Sequence, residues 1–332
     1  MTTIGIIGYG YWGPIVLNKF IQNNEFKVKY VCDRNQSKLN QAKAVVSEEC
    51  TLLTDPKLMF DDPEVELVVI ATQAGNHFDV AMRALQANKN IFVEKPFTLN
   101  SQDAKKIYQT ANQLDKKVWV DHTFLFTSAY QKLKECINEG MIGKPLRFHS
   151  TRAAFGLFQQ DANILWHLMY HDIYILYDLF NAPKKINGVF SSASIIPNLC
   201  DSVIASFTFA DGLHATIHCD MLFAEKKREI VITGDQGILV WDEICENKLK
   251  FYPYRAQYHS DIKKITYQQE EPVIINIEQY DALSNEINEL SNFLNNNKSV
   301  NFQDSIATLE VINLLESVES RLTEGRLCST VI

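Results

Sequence analysis

The first third of the chain alternates short, continuous apolar runs with longer segments of helical periodicity. Unbroken apolar runs are typical of parallel strands that are covered on both faces. They predict strands at Ile4–Ile7, Val28–Cys32, Leu67–Ala71, Asn90–Val93 and Val118–Val120. Asn76 is a plausible N-cap for one intervening helix, which reaches about Asn88. The pattern predicts an α/β domain with a doubly wound parallel sheet over residues 1–122.

After His122 the rhythm changes, because strand patterns recur without intervening helices. Asp211-Gly212 separates two of these patterns and favours a tight hairpin turn. The predicted strands are Leu146–Arg152, Val203–Phe209, Leu213–Cys219, Glu229–Thr233, Ile238–Trp241 and Leu249–Tyr252. The predicted helices are Ser128–Glu139, Ala162–Phe180, Tyr280–Leu294 and 303–322, with residues 295–298 as a polar turn. We predict an α+β domain over residues 123–332, built on a mostly antiparallel sheet, whose final helix packs back on the first domain.

Composition narrows the function classes. The 332 residues include 32 Lys+Arg and 40 Asp+Glu, a net charge of −8 without a basic block, so we expect no nucleic-acid partner. We expect no membrane partner, since there is no apolar run of about 18 residues and no signal-peptide pattern. The seven cysteines never form C-x-x-C, which favours neither disulfides nor zinc and is consistent with a cytoplasmic location.

Glycine is scarce except at the start of the chain. There are 13 glycines, where average usage predicts about 23, yet four lie within the first thirteen residues. Gly8, Gly10 and Gly13 form G-x-G-x-x-G after a predicted strand and before a helix, with Tyr11 and Trp12 between the last two. This context predicts a pyrophosphate-binding loop. The alternative is a glycine-rich turn without a ligand.

Asp33 ends the second predicted strand, twenty residues after the last glycine of the loop. An acidic residue at this distance binds the ribose hydroxyl groups of a dinucleotide. Its charge should repel the 2′-phosphate of NADP, so NAD is the predicted cofactor and NADP the less favoured one. The neighbouring Arg34 could hold such a phosphate and keeps the alternative open.

A second candidate site follows the strand that ends at Val93. The carboxyl ends of parallel strands face the ligand crevice, so Lys95 of Glu94-Lys95-Pro96 should lie near the cofactor. Proline fixes the turn there and suggests a cis peptide bond. Thr72 and His77, after the preceding strand, are predicted to line the same crevice. The alternative is an ordinary surface lysine.

These residues together resemble the glucose-fructose oxidoreductase/inositol dehydrogenase (Gfo/Idh/MocA) family. The resemblance covers essentially the whole chain. It implies that Lys95 touches substrate and nicotinamide, and that an Asp-x-x-x-His pair from the second domain completes the catalytic site. Here His171 takes the place of the family histidine, and His167 stands where the family usually has the aspartate. It also implies a homodimer or homotetramer.

The spacing of His167 and His171 has a chemical meaning. Residues i and i+4 share one helix face, and an imidazole can accept the hydroxyl proton during oxidation of an alcohol at neutral pH. Lys95 would stabilise the developing alkoxide. Without a carboxylate at position 167, His171 is expected to be a weaker base. One alternative is that both histidines only pack against neighbouring elements. Another is a zinc site, but no third ligand is evident in the sequence and we predict no metal.

A narrower resemblance suggests the substrate. The stretches 122–125, 150–156 and 161–166 resemble family members that oxidise the C3 hydroxyl of UDP-N-acetylglucosamine or its uronate to a 3-keto sugar. Gln159, Tyr170 and His167 depart from that branch. We predict that the substrate contacts His122, Arg152, Asn163 and Tyr170, and that Trp166 and Glu94 contribute to cofactor binding. A free-sugar or inositol dehydrogenase and an NAD-binding regulatory protein without catalysis are the alternatives.

Overall fold

The computed structural model describes residues 1–156, 158, 162–296 and 305–324, which form two compact units. The first unit consists of Met1–Thr123 and Asp281–Asn313. The second consists of Phe124–Tyr280 and the described residues from Leu314 onward. The chain therefore leaves the first unit after Thr123 and returns to it at Asp281. The domain borders and the packing of the final helix inferred from the sequence stay predictions.

Strands and helices alternate in the first part of the chain, and strands dominate the second. The strands are β1 (Thr2–Ile7), β2 (Phe26–Cys32), β3 (Thr51–Leu53), β4 (Leu67–Ile70), β5 (Asn90–Val93), β6 (Val118–Val120), β7 (Pro145–Phe155), β8 (Lys185–Ser192), β9 (Ser202–Thr208), β10 (His214–Asp220), β11 (Leu222–Gly234), β12 (Ile238–Asp242), β13 (Leu249–Tyr252), β14 (Arg255–His259), β15 (Lys264–Gln268) and β16 (Val273–Ile274). The helices are α1 (Gly13–Gln22), α2 (Gln36–Ala42), α3 (Lys57–Asp61), α4 (His77–Gln86), α5 (Ser101–Gln113), α6 (Ser128–Asn138), α7 (Tyr170–Phe180), α8 (Ala282–Asn296) and α9 (Ser305–Glu324).

The first unit contains a six-stranded parallel sheet in the order β3-β2-β1-β4-β5-β6. All four residues of β4 are buried, which explains why this strand appears as an unbroken apolar run in the sequence. The predicted doubly wound parallel sheet is confirmed. The edge strand β3 was not predicted, because it has three residues and none is buried.

Helix α8 belongs to the first unit, although about half the chain separates it from Thr123, where the first segment of that unit ends. Lys117 Nζ donates to the main-chain oxygens of Phe293 (2.9 Å) and Leu294 (2.7 Å) in the last turns of α8. A cation at this end of a helix satisfies carbonyl groups that lack helical partners. The turn predicted at 295–298 is wrong at its first two residues, which continue α8; residues 297 and 298 lie outside the described residues.

The second unit contains an eight-stranded sheet in the order β16-β13-β12-β11-β7-β10-β9-β8. Only the β7–β10 pair is parallel among its described pairings, so the predicted mostly antiparallel sheet is confirmed. The predicted hairpin joins β9 to β10, and Gly212 has φ +92° in its turn. No helix in the described part of the chain is long and apolar enough to cross a membrane.

The apolar helix predicted from Ala162 differs in its first turns. A π-helical turn, Leu165–Met169, precedes the regular helix α7, and Ala162 and Asn163, where the predicted helix begins, are not helical. Asn163 has side-chain hydrogen bonds to Glu319 and to the main chain of Cys200. These tertiary bonds compete with regular helical geometry, a competition that sequence periodicity does not reveal. π-Helical turns inside longer helices occur frequently at functional sites.

Candidate functional site

The glycine loop between β1 and α1 requires glycine at two of its three positions. Gly8 has φ +103°, and a Cβ there would lie 2.4 Å from the main-chain oxygen of Ala71. A Cβ on Gly13 would lie 2.4 Å from the main-chain oxygen of Gly8. Both distances are far below van der Waals contact, so these glycines allow the loop to turn tightly against β4 and α1.

Gly10 is different, because its Cβ direction opens into free space. The nearest atom would be Lys38 Nζ, 4.0 Å away. The fold itself therefore leaves room for a methyl group at this position, and the space lies over the loop that precedes the N-terminus of α1. Free space at a glycine beside a helix N-terminus is what dinucleotide binding requires, because the pyrophosphate must approach the main-chain amides closely.

Asp33 links the loop to the end of β2. Its Oδ2 accepts a hydrogen bond from the Tyr9 amide at 2.8 Å, and its Oδ1 accepts one from the Asn35 amide at 2.8 Å. Lys38 Nζ lies 3.8 Å from Oδ2. Arg34, the next residue, is exposed. The carboxylate is therefore held in a fixed position at the predicted ribose site, with the ammonium group of Lys38 nearby.

His77 connects the ends of β4 and β5. Its Nδ1 lies 2.8 Å from the oxygen of Pro96, and its Nε2 lies 3.1 Å from the oxygen of Thr72. Burial and the nearby charge of Lys95 lower the pKa of His77. The neutral ring has one N–H, so it donates to one of the two carbonyl groups at a time. The arrangement fixes both loops at the edge of the sheet where a dinucleotide would bind.

Lys95 follows β5 at the same edge of the sheet as the glycine loop. The Glu94 amide extends the β4–β5 pairing by donating to the oxygen of Ile70 at 3.0 Å. The Glu94 side chain is buried, whereas Lys95 is partly exposed. The Lys95–Pro96 peptide bond is cis, as predicted. The carboxyl ends of β1, β2, β4 and β5 thus bring together the loop, Asp33, Thr72 and Lys95.

His122 lies in the interior of the first unit. Its side chain has no exposed surface, and its amide donates to Oε1 of Glu286 at 3.0 Å. Burial lowers the pKa of His122 to about 3, so the ring is neutral at physiological pH. Its predicted contact with substrate stays a prediction.

His171 lies on α7 in the second unit and is partly exposed. Its Nδ1 lies 3.2 Å from Oη of Tyr174, and its ring centroid lies 4.7 Å from that of Phe124 in an edge-to-face contact. His167 lies in the π-helical turn, four residues earlier and also partly exposed. Tyr174 was not predicted as a site residue, although its i+3 position from His171 was the available signal.

Arg152 is engaged inside the second unit. Its Nε and Nη2 donate to the two oxygens of Asp172 at 2.9 and 3.2 Å, and Ser150 Oγ donates to Asp172 Oδ1 at 2.8 Å. The guanidinium carbon lies 4.7 Å from the ring centroid of Phe124. Burial opposes the charged form, but the Asp172 carboxylate outweighs it and raises the pKa of Arg152. The geometry favours a structural role, and the predicted substrate contact stays a prediction.

Two further predicted site residues, Asn163 and Trp166, bond to Glu319 of α9, and a third, Tyr170, is the first residue of α7. Asn163 Nδ2 donates to Glu319 Oε1 at 2.7 Å, and Trp166 Nε1 donates to Oε2 at 3.1 Å. Tyr170 has no exposed surface. Their predicted roles stay predictions; Glu319 was missed, because nothing in the sequence relates it to residues more than 150 positions earlier.

No group of three His, Cys, Asp or Glu side chains in the described ranges is arranged to hold a metal ion. The two histidines of the candidate site therefore gain no third ligand from this part of the chain.

Two family models match the chain. The model for the oxidoreductase family with an NAD-binding Rossmann fold matches residues 2–122, and that for the GFO/IDH/MocA C-terminal domain matches residues 130–240. The chain belongs to the GFO/IDH/MocA family of oxidoreductases. The resemblance found in its sequence motifs is thereby confirmed, as is the NAD-binding fold of its first unit.

Individual relatives of this GFO/IDH/MocA protein differ in substrate. Inositol 2-dehydrogenase from Salmonella typhimurium is 25% identical over 277 residues, 78% of each chain. 2,7-Anhydro-N-acetylneuraminate hydratase from Mediterraneibacter gnavus is 25% identical, covering 74% of this chain and 69% of the relative. The solved structure of UDP-N-acetylglucosamine 3-dehydrogenase GnnA from Acidithiobacillus ferrooxidans has a TM-score of 0.80 at 22% identity, covering 97% of both chains.

Proposed function

We propose that this protein is an NAD-dependent dehydrogenase that oxidises the C3 hydroxyl of a nucleotide-activated N-acetylhexosamine, such as UDP-N-acetylglucosamine, to a 3-keto sugar. The observation that carries the proposal is the position of Lys95. It places an ammonium group at the same sheet edge as the glycine loop and Asp33, where the family binds NAD. A cation there stabilises negative charge on an oxygen as hydride leaves the adjacent carbon.

The cofactor roles follow from the first unit. The amides around Gly8, Gly10 and Gly13 receive the pyrophosphate, and Asp33 binds the ribose hydroxyl groups. Bound NAD supplies the hydride acceptor. The proposal keeps Tyr11, Trp12, Arg34, Thr72, His77, Glu94 and Trp166 as further cofactor-binding residues. Calorimetry with both cofactors tests the assignment: NAD should bind at least about tenfold more tightly, and tighter NADP binding would reject it.

His171 is proposed as the base. Its Nδ1 lies 3.2 Å from Oη of Tyr174, and Nε2 is the proposed acceptor of the hydroxyl proton. For this, Nδ1 carries the hydrogen and donates it to the tyrosine oxygen. The C3–H bond then breaks with its electron pair leaving as hydride, and the O–H pair becomes the second bond of the ketone. His167, which replaces the family aspartate, is proposed to hydrogen-bond the substrate.

The UDP-linked substrate class rests on the motifs of the second unit and is supported by the likeness to GnnA. His122, Arg152, Asn163 and Tyr170 stay the proposed substrate-binding residues, and a homodimer or homotetramer the proposed assembly. The similarity to inositol 2-dehydrogenase favours a second candidate, oxidation of inositol or a free sugar. Incubation with NAD and a panel of UDP-sugars and polyols, followed by NADH absorbance, separates the two. Turnover of polyols alone would reject the UDP-sugar assignment.

Variants of Lys95 test the catalytic assignment against an NAD-binding regulatory protein. Lys95→Ala should lower kcat by about 10² to 10³ while calorimetry shows retained NAD binding. Lys105→Ala, at an exposed lysine of α5, is the matched control and should leave turnover unchanged. Equal turnover in both variants would contradict a catalytic Lys95.

A further inference from the structure

Three carboxyl groups are buried together in the first unit: Glu94 after β5, Asp121 after β6 and Glu286 on α8. These residues are 5%, 2% and 0% exposed. The main chain brings them together: the Asp121 amide donates to the oxygen of Val93, next to Glu94, at 2.9 Å, and the His122 amide donates to Oε1 of Glu286 at 3.0 Å. Both glutamates thereby interact with the carboxyl group of Asp121. Asp121 and Glu286 have no role in the proposed reaction. They are far apart in the sequence, and folding brings them together.

Contact between carboxyl groups requires protons. Two carboxylates offer acceptors only, so each hydrogen-bonded contact between them needs one proton. The two contacts to Asp121 therefore need two protons and leave one negative charge on the three groups. Lys95 follows Glu94 in the chain and its charge acts on that carboxyl group, and the neutral ring of His122 follows Asp121.

The hydrogen bonds from neighbouring groups show where the charge resides. Asp121 Oδ1 accepts from the Thr123 amide at 2.8 Å and from the Thr123 hydroxyl, and its Oδ2 accepts from Trp12 Nε1 at 3.4 Å. By contrast, Glu94 Oε1 and Glu286 Oε2 are buried and meet no donor among the described residues. A buried carboxylate oxygen without a donor is strongly unfavourable, whereas a carboxylic acid is not.

The electrostatics of the cluster agree with this geometry. Burial and the charge of Asp121 raise the pKa of Glu94 and that of Glu286. Burial alone would raise the pKa of Asp121, but hydrogen bonds from Glu94, Thr123 and Glu286 outweigh it and lower that pKa.

We propose that Glu94 and Glu286 are protonated positioning residues that donate to the Asp121 carboxylate, and that this network holds the cofactor loop in place through Trp12. Trp12 belongs to the glycine loop and Glu94 precedes Lys95, so one cluster fixes both. Glu286 also accepts from Trp119 Nε1 and the His122 amide, each at 3.0 Å through Oε1. Helix α8 thereby supplies the Glu286 carboxyl group, which through Asp121 helps to position the glycine loop and the Glu94-Lys95-Pro96 segment.

Infrared spectroscopy of the cofactor-free protein tests the protonation states. Glutamate labelled with ¹³C at the side-chain carboxyl should shift the carbonyl band of a protonated acid at neutral pH. Glu94→Gln and Glu286→Gln should each reduce that band. Glu289→Gln, one turn further along α8, should leave it unchanged. A missing acid band, or one that shifts with labelled aspartate instead, would overturn the proposal.

Cofactor binding tests the positioning role independently of the substrate. Glutamine reproduces a protonated glutamic acid as donor and acceptor, so Glu286→Gln should retain NAD affinity within about twofold, while Glu286→Ala and Asp121→Asn weaken it about tenfold or more. Tolerance of Asp121→Asn together with loss in Glu286→Gln would overturn the proposal. If Asp121→Asn does not fold, the two Glu286 variants decide. Because no substrate is used, the outcome does not depend on the proposed dehydrogenase reaction.

Discussion

Nδ1 of His171 lies 3.2 Å from Oη of Tyr174, and both residues project from α7 three positions apart. His171, the proposed counterpart of the family histidine, thus has a phenol as its partner on the regular helix, while position 167 carries a second histidine. The phenol can donate or accept; as the acceptor from Nδ1–H it stabilises the tautomer whose Nε2 can take a proton. Tyr174 is therefore a positioning residue for the proposed base.

Tyr174→Phe should lower kcat about tenfold, because the bond that selects the tautomer contributes about 1 kcal/mol or slightly more. KM and NAD affinity should change little, since the substitution acts through His171. Steady-state kinetics with the substrate identified by the panel provide the measurement. Tyr177→Phe, on the same helix, is the control. An unchanged kcat in Tyr174→Phe would argue against the assigned tautomer.

The glycine loop predicts opposite effects for two similar substitutions. Gly10→Ala places a methyl group in open space, so thermal stability should be retained while NAD affinity falls about tenfold or more. Gly8→Ala meets Ala71 and requires an unfavourable φ, so it should lower the unfolding free energy by about 1 to 3 kcal/mol. Thermal unfolding and calorimetry separate the effects. Normal NAD binding by Gly10→Ala would contradict the proposed pyrophosphate position.

The buried Arg152–Asp172 pair predicts a large loss of stability when one partner is removed. Asp172→Asn should lower the free energy of unfolding by about 3 kcal/mol, because it leaves a buried guanidinium without its counter-charge. Replacing both with apolar residues, Arg152→Met with Asp172→Leu, should recover part of that loss. Arg147→Met, at an exposed arginine of β7, is the control in denaturant titrations. Equal unfolding free energies in Asp172→Asn and the control would rule out the structural role.

His122 predicts acid sensitivity of the fold. Burial lowers the pKa of His122 to about 3 in the folded state, against about 6.5 in the unfolded chain. The unfolded chain therefore binds the proton first, and stability is lost as pH falls below about 6.5. The loss due to this residue should reach about 2 kcal/mol at about pH 5.

Denaturant titrations across this pH range test the assignment with a variant that cannot titrate. His122→Gln should remove this part of the slope. His77 also has a lowered pKa, so it too makes the fold less stable at low pH, and its contribution to the slope remains in the His122→Gln variant. His214→Gln, at an exposed histidine of β10, should retain the wild-type slope. Identical slopes in the wild type and His122→Gln would contradict the prediction.

Several elements were predictable because their signals are local. β5 and β6 were predicted to the residue, since each is an unbroken apolar run with clear flanks. The loop at Gly8–Gly13 was predictable because the spacing of its glycines between a strand and a helix is itself a local signal, although the close approach at Gly8 is to Ala71. The start of the helix before α7 was not, because Asn163 bonds to Glu319 and to the main chain of Cys200 and stays outside the helix.

The sequence by itself determined the parallel α/β fold of the first unit, the glycine loop, the acid at Asp33 and the motif around Lys95. Periodicity, glycine spacing and residue type carry that information along the chain. Only the tertiary structure decided that Arg152 pairs with Asp172, that Glu319 accepts from Asn163 and Trp166, and that Glu286 joins Glu94 and Asp121. These contacts link residues on separate elements or turns, and burial makes each polar group depend on the partner that folding places beside it.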